Sequence, residues 1–253
     1  MSDYVRWFRH STPYINTHRD RTFVVLLPGE AIAHPNFNNI INDIMLLSTL
    51  GVRLVLVHGS RPQIEERLAA RGMTSRFHND LRITDSDTLG CVMDAVGSLR
   101  IAIEARLCTL AGQGSRLRVV SGNFVTAKPI GVIDGVDLHH TGEVRRIDRK
   151  GISRHLDDAS IVLLSSMGYS PTGEVFNLAC EDVAISTAAA LEADKLILFG
   201  PDTGIFGLLY LLFICLPGQK KPGPDCRQAN GQQDCQHYNY QQLGFVFLGR
   251  CQL

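Results

Sequence analysis

Residues 22–30 read TFVVLLPGE, and residues 52–62 read VRLVLVHGSRP. Each stretch begins with a run of mostly branched apolar residues and ends in a turn that contains glycine. Apolar runs of this kind are typical of strands that are buried on both faces of a sheet. Between them, residues 36–50 carry apolar side chains at helical spacing. The order strand, helix, strand predicts one unit of a parallel α/β sheet.

The same alternation continues through the first two hundred residues. Further helices are predicted at residues 63–70, 85–110 and 181–191, and further strands at 118–121, 160–164 and 195–199. Repeated units of this kind predict a three-layer αβα fold with an open, mainly parallel sheet between helices. A chain of 253 residues is long enough for one such domain.

The character of the sequence changes at about residue 205. The apolar run Ile205–Leu216 is shorter than the roughly 20 residues of a membrane-spanning helix, and a Pro/Gly/Gln-rich stretch follows it. We therefore expect three parts: an N-terminal helix at residues 1–20, the α/β domain at 21–205, and a divergent tail at 206–253 that is not a native domain. The polar N-terminus lacks a signal peptide, which predicts a cytoplasmic protein with no membrane partner.

Charge and cysteine content exclude several classes of protein. The 25 basic residues balance 25 acidic ones, which argues against a nucleic-acid partner. Cys226, Cys235 and His237 lack zinc-site spacing, and the pair at 139–140 lacks a ligand partner, so no metal site is predicted. The basic cluster at residues 145–150 alternates with an aspartate and is interpreted as a solvated surface.

Two turns carry the strongest indication of a binding site. Pro28-Gly29-Glu30 and His58-Gly59-Ser60-Arg61 follow the first two strands. Ligands of α/β sheets bind at the carboxyl ends of strands, where glycine turns and helix N-termini offer backbone N–H groups to anions. The alternative is that a strand-to-helix turn needs glycine for its own geometry. No P-loop sequence is present.

Five segments, in order, resemble motifs of the amino-acid kinases, and in particular of N-acetylglutamate kinases and synthases. They are FRHSTPYINTHRDRTFVV at residues 8–25, GVRLVLVHGSRPQI at 51–64, FHNDLRITD at 77–85, FNLACEDVAISTAAAL at 176–191 and ADKLILF at 193–199. The resemblance implies the amino-acid kinase or carbamate kinase-like fold, incomplete at its C-terminal end because that fold continues past the last of these strands.

The departures from the kinase motifs concern the phosphate-binding loops. The family's K-x-G-G motif places a lysine where this chain has Leu26, and its H-G-G-G turn has become HGSR at residues 58–61. Phosphoryl transfer depends on positive charge at the transferring phosphate, and a leucine supplies none. The resemblance therefore implies degenerate phosphate loops, no catalytic residue in this chain, and the kinase-like half of an N-acetylglutamate synthase.

The resemblance also implies candidates for an amino-acid pocket, namely Arg82, Asn177 and Glu181. A guanidinium group binds a carboxylate through two parallel hydrogen bonds, so Arg82 is a candidate carboxylate clamp. The alternative for Arg82 is a structural salt bridge with Asp80 or Asp85.

Two residues of the N-terminal segment, Tyr14 and Arg19, are candidates for an arginine site. This assignment comes from the resemblance to arginine-sensitive kinases and synthases. The alternative is a helix face that packs on the sheet.

In N-acetylglutamate synthases the kinase-like domain senses arginine, and a C-terminal domain transfers the acetyl group of acetyl-CoA to L-glutamate. The acetyl-CoA-binding pattern Q/R-x-x-G-x-G/A is not completed after Gln228 or Gln241, which predicts that the acetyltransferase domain is missing. We therefore expect no cofactor in this chain, L-arginine as an effector, and a homo-oligomer. Two alternatives stay open: an ATP-dependent N-acetylglutamate kinase, and an orphan arginine-binding or oligomerisation module.

Overall fold

The computed structural model describes residues 12–13, 15–110, 117–203, 209–214 and 246–249, and the side chains among them up to residue 199 except those at 109–110. Its helices are α1 (Gly29–Ala33), α2 (Phe37–Thr49), α3 (Arg61–Ala70), α4 (Ser86–Leu110), α5 (Arg149–Asp157) and α6 (Cys180–Leu191). Its strands are β1 (Thr22–Leu27), β2 (Arg53–His58), β3 (Phe77–His78), β4 (Leu81–Arg82), β5 (Val119–Val120), β6 (Val125–Pro129), β7 (Val132–Ile133), β8 (Val136–Asp137), β9 (Gly142–Ile147), β10 (Ile161–Ser165), β11 (Met167–Tyr169), β12 (Val175–Asn177), β13 (Lys195–Thr203), β14 (Leu209–Ile214) and β15 (Val246–Gly249).

The main sheet has the strand order β15-β14-β13-β1-β2-β10-β5. Its five strands from β13 to β5 are parallel, and β14 and β15 are antiparallel to their neighbours. Every residue of β1 is buried, because this strand lies between two other strands and under helices on both faces. The predicted parallel sheet is confirmed, and the first two predicted strands are its centre.

Helices cover the sheet on both faces. One face packs against α2 and α4 through an apolar cluster that includes Phe23, Ile41 and Ile103. The other packs against α5 and α6 through a cluster that includes Leu26 and Val183. The three-layer αβα architecture predicted from the sequence is therefore confirmed.

A second, four-stranded sheet was not predicted. Its order is β12-β11-β6-β9, and it packs Val125, Ala127 and Ile147 onto the α5 and α6 side of the main sheet. Its strands are short and half-exposed, so they lack the long apolar runs that identify the buried strands. Helix α1 was also missed, since it is a single short turn directly after Pro28.

The described part of the last fifty residues extends the main sheet. Strand β14 lies within the apolar run that was noted at residues 205–216, and it pairs with β13 in antiparallel register. Most of the predicted N-terminal helix and most of the predicted tail lie outside the described residues. Within the described ranges, no helix is both long enough and apolar enough to span a bilayer.

Candidate functional site

The two predicted glycine turns lie side by side at the carboxyl end of the main sheet. Leu27 and His58, the last residues of β1 and β2, are partners in the parallel register. The backbone N–H of Gly59 donates to the Leu27 carbonyl at 2.9 Å, and the Gln63 amide donates to the Gly29 carbonyl at 2.9 Å. The two turns that the sequence indicated are therefore neighbours in the fold.

Close packing between these turns requires glycine at both positions. A Cβ atom on Gly59 would lie 2.9 Å from the Cys180 sulfur and 3.2 Å from the Gly29 nitrogen. A Cβ atom on Gly29 would lie 2.7 Å from the ring of Pro62. The 2.7 Å and 2.9 Å contacts are shorter than real Cβ atoms show, so close packing accounts for both glycines, as in the alternative raised from the sequence.

Leu26 lies in an apolar environment and not in a polar one. Its side chain is only 3% exposed and belongs to the same buried cluster as Val57, Leu164 and Val183. The cluster fills the space between the main sheet and α6, so the position offers neither charge nor a hydrogen bond. A phosphate could not be neutralised from here.

His58 is the least expected residue of the HGSR turn, because it is completely buried. Neither ring nitrogen has a hydrogen-bond partner among the described residues. Burial lowers the pKa of His58 from 6.5 to about 4; the nearby Gly59 backbone opposes this effect and the charge of Arg100 adds to it. The ring is therefore neutral at pH 7, and the turn carries no charge from this position.

The other two residues of this turn differ in exposure. The Ser60 hydroxyl is buried and has no partner among the described residues, whereas Arg61 is exposed. The Arg61 guanidinium stacks over the Phe77 ring, 5.5 Å from its centroid. The positive charge of Arg61 therefore lies next to the Phe77 ring of β3.

Arg82 is held by other side chains of the protein. Its guanidinium donates to the Glu65 carboxylate at 2.7 Å and to the Ser75 hydroxyl, and it stacks on Phe77 with 4.9 Å to the ring centroid. The Arg82 side chain is 6% exposed and that of Glu65 is 44% exposed. A carboxylate ligand could reach Arg82 only by displacing Glu65.

The salt-bridge alternative for Arg82 is correct in kind but wrong in partner. Asp85 pairs with Arg76 at 2.7 Å and accepts a hydrogen bond from the backbone N–H of Thr88 at the start of α4. These hydrogen bonds lower the pKa of Asp85. Asp80 has a positive φ of 62° in the β3–β4 turn. Neither aspartate forms an ion pair with Arg82.

The Glu65 carboxyl is stabilised in its charged form. Partial burial raises the pKa of Glu65, but hydrogen bonds from Ser75 and Arg82 and the charges of Arg82 and Arg61 outweigh that effect, and the net shift is downward. Glu65, Ser75 and Phe77 were missed from the sequence. Arg61 and Glu65 are four residues apart, which predicts an ion pair along one face of the helix. This spacing gives no indication that Glu65 binds Arg82.

Asn177 and Arg82 are linked through two buried threonines. The Asn177 amide donates to the Thr84 hydroxyl at 3.1 Å, and the Thr141 hydroxyl bonds the Thr84 hydroxyl at 2.9 Å and also the Arg82 carbonyl. The network ties the end of β12 to the segment after β4. The network thus connects the Asn177 side chain to the backbone of Arg82, and not to its guanidinium.

The third predicted pocket residue, Glu181, is exposed in the first turn of α6. The Cys180 thiol donates a hydrogen bond to its carboxylate, with 3.4 Å between sulfur and oxygen. Burial and the Glu181 charge raise the pKa of Cys180, so this thiol is not an activated nucleophile. Among the described residues, no group of histidine, cysteine and acidic side chains could hold a metal ion.

Of the two candidates for an arginine site, Tyr14 lies outside the described residues. Arg19 is exposed, and its side chain covers Gly51, whose Cβ position would be 3.2 Å from the Arg19 Cγ. The neighbouring His18 was not predicted. Its ring contacts Phe23 edge-on at 5.5 Å and lies 3.3 Å from the Lys195 ammonium.

Comparisons with known proteins agree with this fold. The family model described as "Amino acid kinase family" matches residues 21–207. The amino-acid acetyltransferase of Ectopseudomonas mendocina is 73% identical over 209 residues, which cover 81% of this chain and 48% of that protein. The amino-acid acetyltransferase of Pseudomonas paraeruginosa is 64% identical over 237 residues, covering 92% of this chain and 55% of that protein. The chain thus spans about half the length of these curated relatives.

The solved structures that match include N-acetylglutamate synthase from Neisseria gonorrhoeae. Its complex with coenzyme A and L-arginine has 38% identity and a TM-score of 0.73, over 79% of this chain and 48% of that one. Its complex with coenzyme A and N-acetyl-glutamate has 39% identity and a TM-score of 0.72, over 79% and 46%. A carbamate kinase from Giardia lamblia shares the fold alone, at 15% identity and a TM-score of 0.51, over 72% and 71%. With the parallel sheet, its two glycine turns and a family match over most of its length, the chain belongs to the amino acid kinase family.

Proposed function

We propose that this chain is the kinase-like, arginine-responsive part of an amino-acid acetyltransferase of the N-acetylglutamate synthase type. In the whole protein, L-arginine binds this part and reduces the transfer of an acetyl group from acetyl-CoA to L-glutamate. The part itself transfers no phosphoryl group. The proposal rests on the relatives named amino-acid acetyltransferase and on the arginine complex of the gonococcal synthase.

The burial of Leu26 in the apolar cluster under α6 is the structural observation that carries the absence of phosphoryl transfer from this proposal. Removal of one group that stabilises transition-state charge costs roughly 100- to 1000-fold in rate. At Leu26 the lysine of the family motif is lost, and the described cluster to which this residue belongs is apolar. This supports a role in binding and not in phosphoryl transfer.

Isothermal titration calorimetry with the purified chain tests the arginine part of this proposal. Circular dichroism and size-exclusion chromatography first establish that the sample is folded and report its oligomeric state. L-Arginine is then titrated, with L-lysine as a control that keeps the charge but lacks the guanidinium. We expect saturable heat with arginine at about millimolar concentration or below, and none with lysine. A folded chain that gives no heat with millimolar arginine would contradict arginine binding.

A coupled assay for ADP release tests the absence of phosphoryl transfer. The folded chain is mixed with ATP, Mg²⁺ and N-acetyl-L-glutamate, and ADP formation is followed through a linked enzyme. We expect no rate above that of the mixture without protein. Substrate-dependent ADP release would instead establish an N-acetylglutamate kinase, whatever the result with arginine.

A further inference from the structure

The outer face of the four-stranded sheet carries a cleft that the proposed function does not use. Thr126, Arg145, Arg146 and Pro171 line a cavity of about 370 Å³ there. An adjoining cavity of about 280 Å³ shares Thr126, Arg146 and Pro171 with the first. Cavities of roughly 300 Å³ and more are large enough for small-molecule ligands. The cleft therefore has room for a ligand.

A β-bulge places two arginines in this cleft. Along a regular strand, neighbouring side chains point to opposite faces, so Arg145 and Arg146 would normally separate. In β9, however, Arg146 pairs with Thr126 and Val144 pairs with Ala127, which leaves Arg145 as an extra residue. Bulges redirect side chains, and here both arginines line the same cavity. The double arginine is thus a consequence of backbone geometry and not only of composition.

The rest of the cleft is polar and aromatic. Arg146, Thr126 and Tyr169 lie in one row across β9, β6 and β11, because each is the register partner of the next. Ser170 and Asn123 add a hydroxyl and an amide at the rim. Tyr169 is 38% exposed, so part of its ring is accessible from the cleft. The cleft thus combines positive charge, hydrogen-bond donors and an aromatic surface.

The charge of the two arginines is not neutralised within the described part of the chain. Neither forms an ion pair with a described residue. Glu143 is paired with Lys128 at 2.6 Å. Glu174 accepts from Thr172 at 3.1 Å and from the cleft residue Ser170 at 3.4 Å, so its single negative charge offsets part of the charge of the two arginines but not all of it. The cleft therefore has a net positive charge, which favours an anion.

We propose that this cleft binds the phosphate group of a small molecule, with Arg145 and Arg146 as its two guanidinium ligands. Guanidinium groups bind phosphate through paired, charge-assisted hydrogen bonds, and the Thr126 hydroxyl and Asn123 amide supply further donors. The Tyr169 ring gives a flat surface for a base attached to the phosphate. The residues that line the cleft include neither those of the glycine turns nor Arg19, so failure of this site and failure of arginine binding can be told apart.

Calorimetry at constant ionic strength tests the site, with inorganic phosphate and adenosine monophosphate as separate titrants. The R145Q/R146Q variant removes both guanidinium groups and leaves the strand backbone intact. The R149Q/K150Q variant removes two charges from the start of α5, outside the cleft, and is the matched control. We expect one saturable site of about millimolar affinity for phosphate, at least about tenfold weaker in R145Q/R146Q and unchanged in R149Q/K150Q.

The adenosine monophosphate titration separates the two sources of the phosphate group. Tighter binding than that of inorganic phosphate identifies a nucleotide, whereas equal affinity identifies the bare phosphate group as the element recognised. Absence of saturable binding up to about 20 mM phosphate, or an equal loss in both variants, would overturn the proposal.

Chemical modification gives a test on the unmutated chain. Phenylglyoxal reacts with accessible arginine side chains, and peptide mass spectrometry locates each modified residue. Phosphate should protect Arg145 and Arg146 but not Arg149, which lies outside the cleft. Equal modification of all three with and without phosphate would show that no such site exists.

Discussion

The glycine turns and the β3–β4 hairpin differ in whether their buried side chains carry charge. At the glycine turns, Leu26 is apolar and His58 is neutral, and both are buried. About the β3–β4 hairpin, Arg82 keeps its charge and pairs with Glu65 at 2.7 Å. The lysine of the family's phosphate-binding motif is thus replaced by Leu26, whereas Arg82 of another family motif is retained. The difference teaches that a retained charge can serve the fold and need not indicate a retained ligand.

The largest effect is expected when the lysine of the kinase motif is restored at position 26. In L26K, an ammonium group without a partner would enter the apolar cluster under α6. Uncompensated buried charges destabilise proteins by about 3–5 kcal/mol, so we expect a large fall in the urea midpoint of unfolding. L26M keeps the volume without the charge and should cost less than about 1.5 kcal/mol.

The same variant addresses activity. Because the Gly29 and Gly59 turns pack on each other and the HGSR turn adds side chains, L26K should release no ADP in the coupled assay. A stable L26K protein that releases ADP would show that one residue alone separates this chain from the kinases.

A second test concerns the neutral state of His58. The unfolded chain binds a proton on this ring near pH 6.5, whereas the folded chain binds it only near pH 4. Between these values the unfolded state takes up more protons, so stability falls as the pH drops. We expect a loss of roughly 3 kcal/mol between pH 7.5 and pH 4, most of it below pH 6.

Variants assign this pH dependence to one residue. H58L replaces an unpartnered buried ring by an apolar side chain, so its urea midpoint should change much less with pH in this range than that of the unmutated chain and should not fall at pH 7.5. Burial and the charges of Lys195 and Arg21 also lower the pKa of His18, so H18Q serves as a comparison. If H18Q removes the pH dependence and H58L does not, His58 is not the group responsible.

Sequence patterns were sufficient for the main sheet because its central strands are long apolar runs. Residues 22–27 and 53–58 are buried almost throughout. A strand that is buried on both faces has apolar residues at nearly every position, and this run is easy to identify in the sequence. The register of those strands then brings the two glycine turns together, so that part of the site also followed. The half-exposed strands of the second sheet show only a weak alternation of apolar and polar residues. In such short segments this alternation cannot be distinguished from the sequence of a loop.

The contacts of the site's side chains were not predictable in the same way. Glu65 precedes Arg82 by 17 positions and lies on another element, so their approach depends on how α3 packs against the hairpin. The burial of His58 depends on the strands and helices around it. The bulge at Arg145 is invisible in sequence, since alternation alone would put Arg145 and Arg146 on opposite faces. In each case tertiary packing determines the contact, the burial or the backbone geometry, and the local sequence does not indicate it.

The smallest expected effect belongs to the retained charge itself. R82A removes the guanidinium from Glu65, Ser75 and Phe77, and we expect a loss of about 2 kcal/mol in the free energy of unfolding. The matched control is R76A, since Arg76 pairs with Asp85 at the same 2.7 Å but is 62% exposed. An exposed pair contributes less than about 1 kcal/mol, so R76A should cost less.

A double-mutant cycle of R82A with E65Q then measures the Arg82–Glu65 interaction directly. Because Glu65 is half-exposed, solvent weakens the pair, and we expect a coupling energy of about 1 kcal/mol. That value would mean that the hairpin uses Arg82 to fasten itself to α3, and a carboxylate ligand would have to compete with Glu65 for it. A coupling near zero, with R82A no more damaging than R76A, would instead make Arg82 an arginine that the fold does not need. The interpretation of Arg82 as a clamp for a ligand's carboxylate would then become the stronger one.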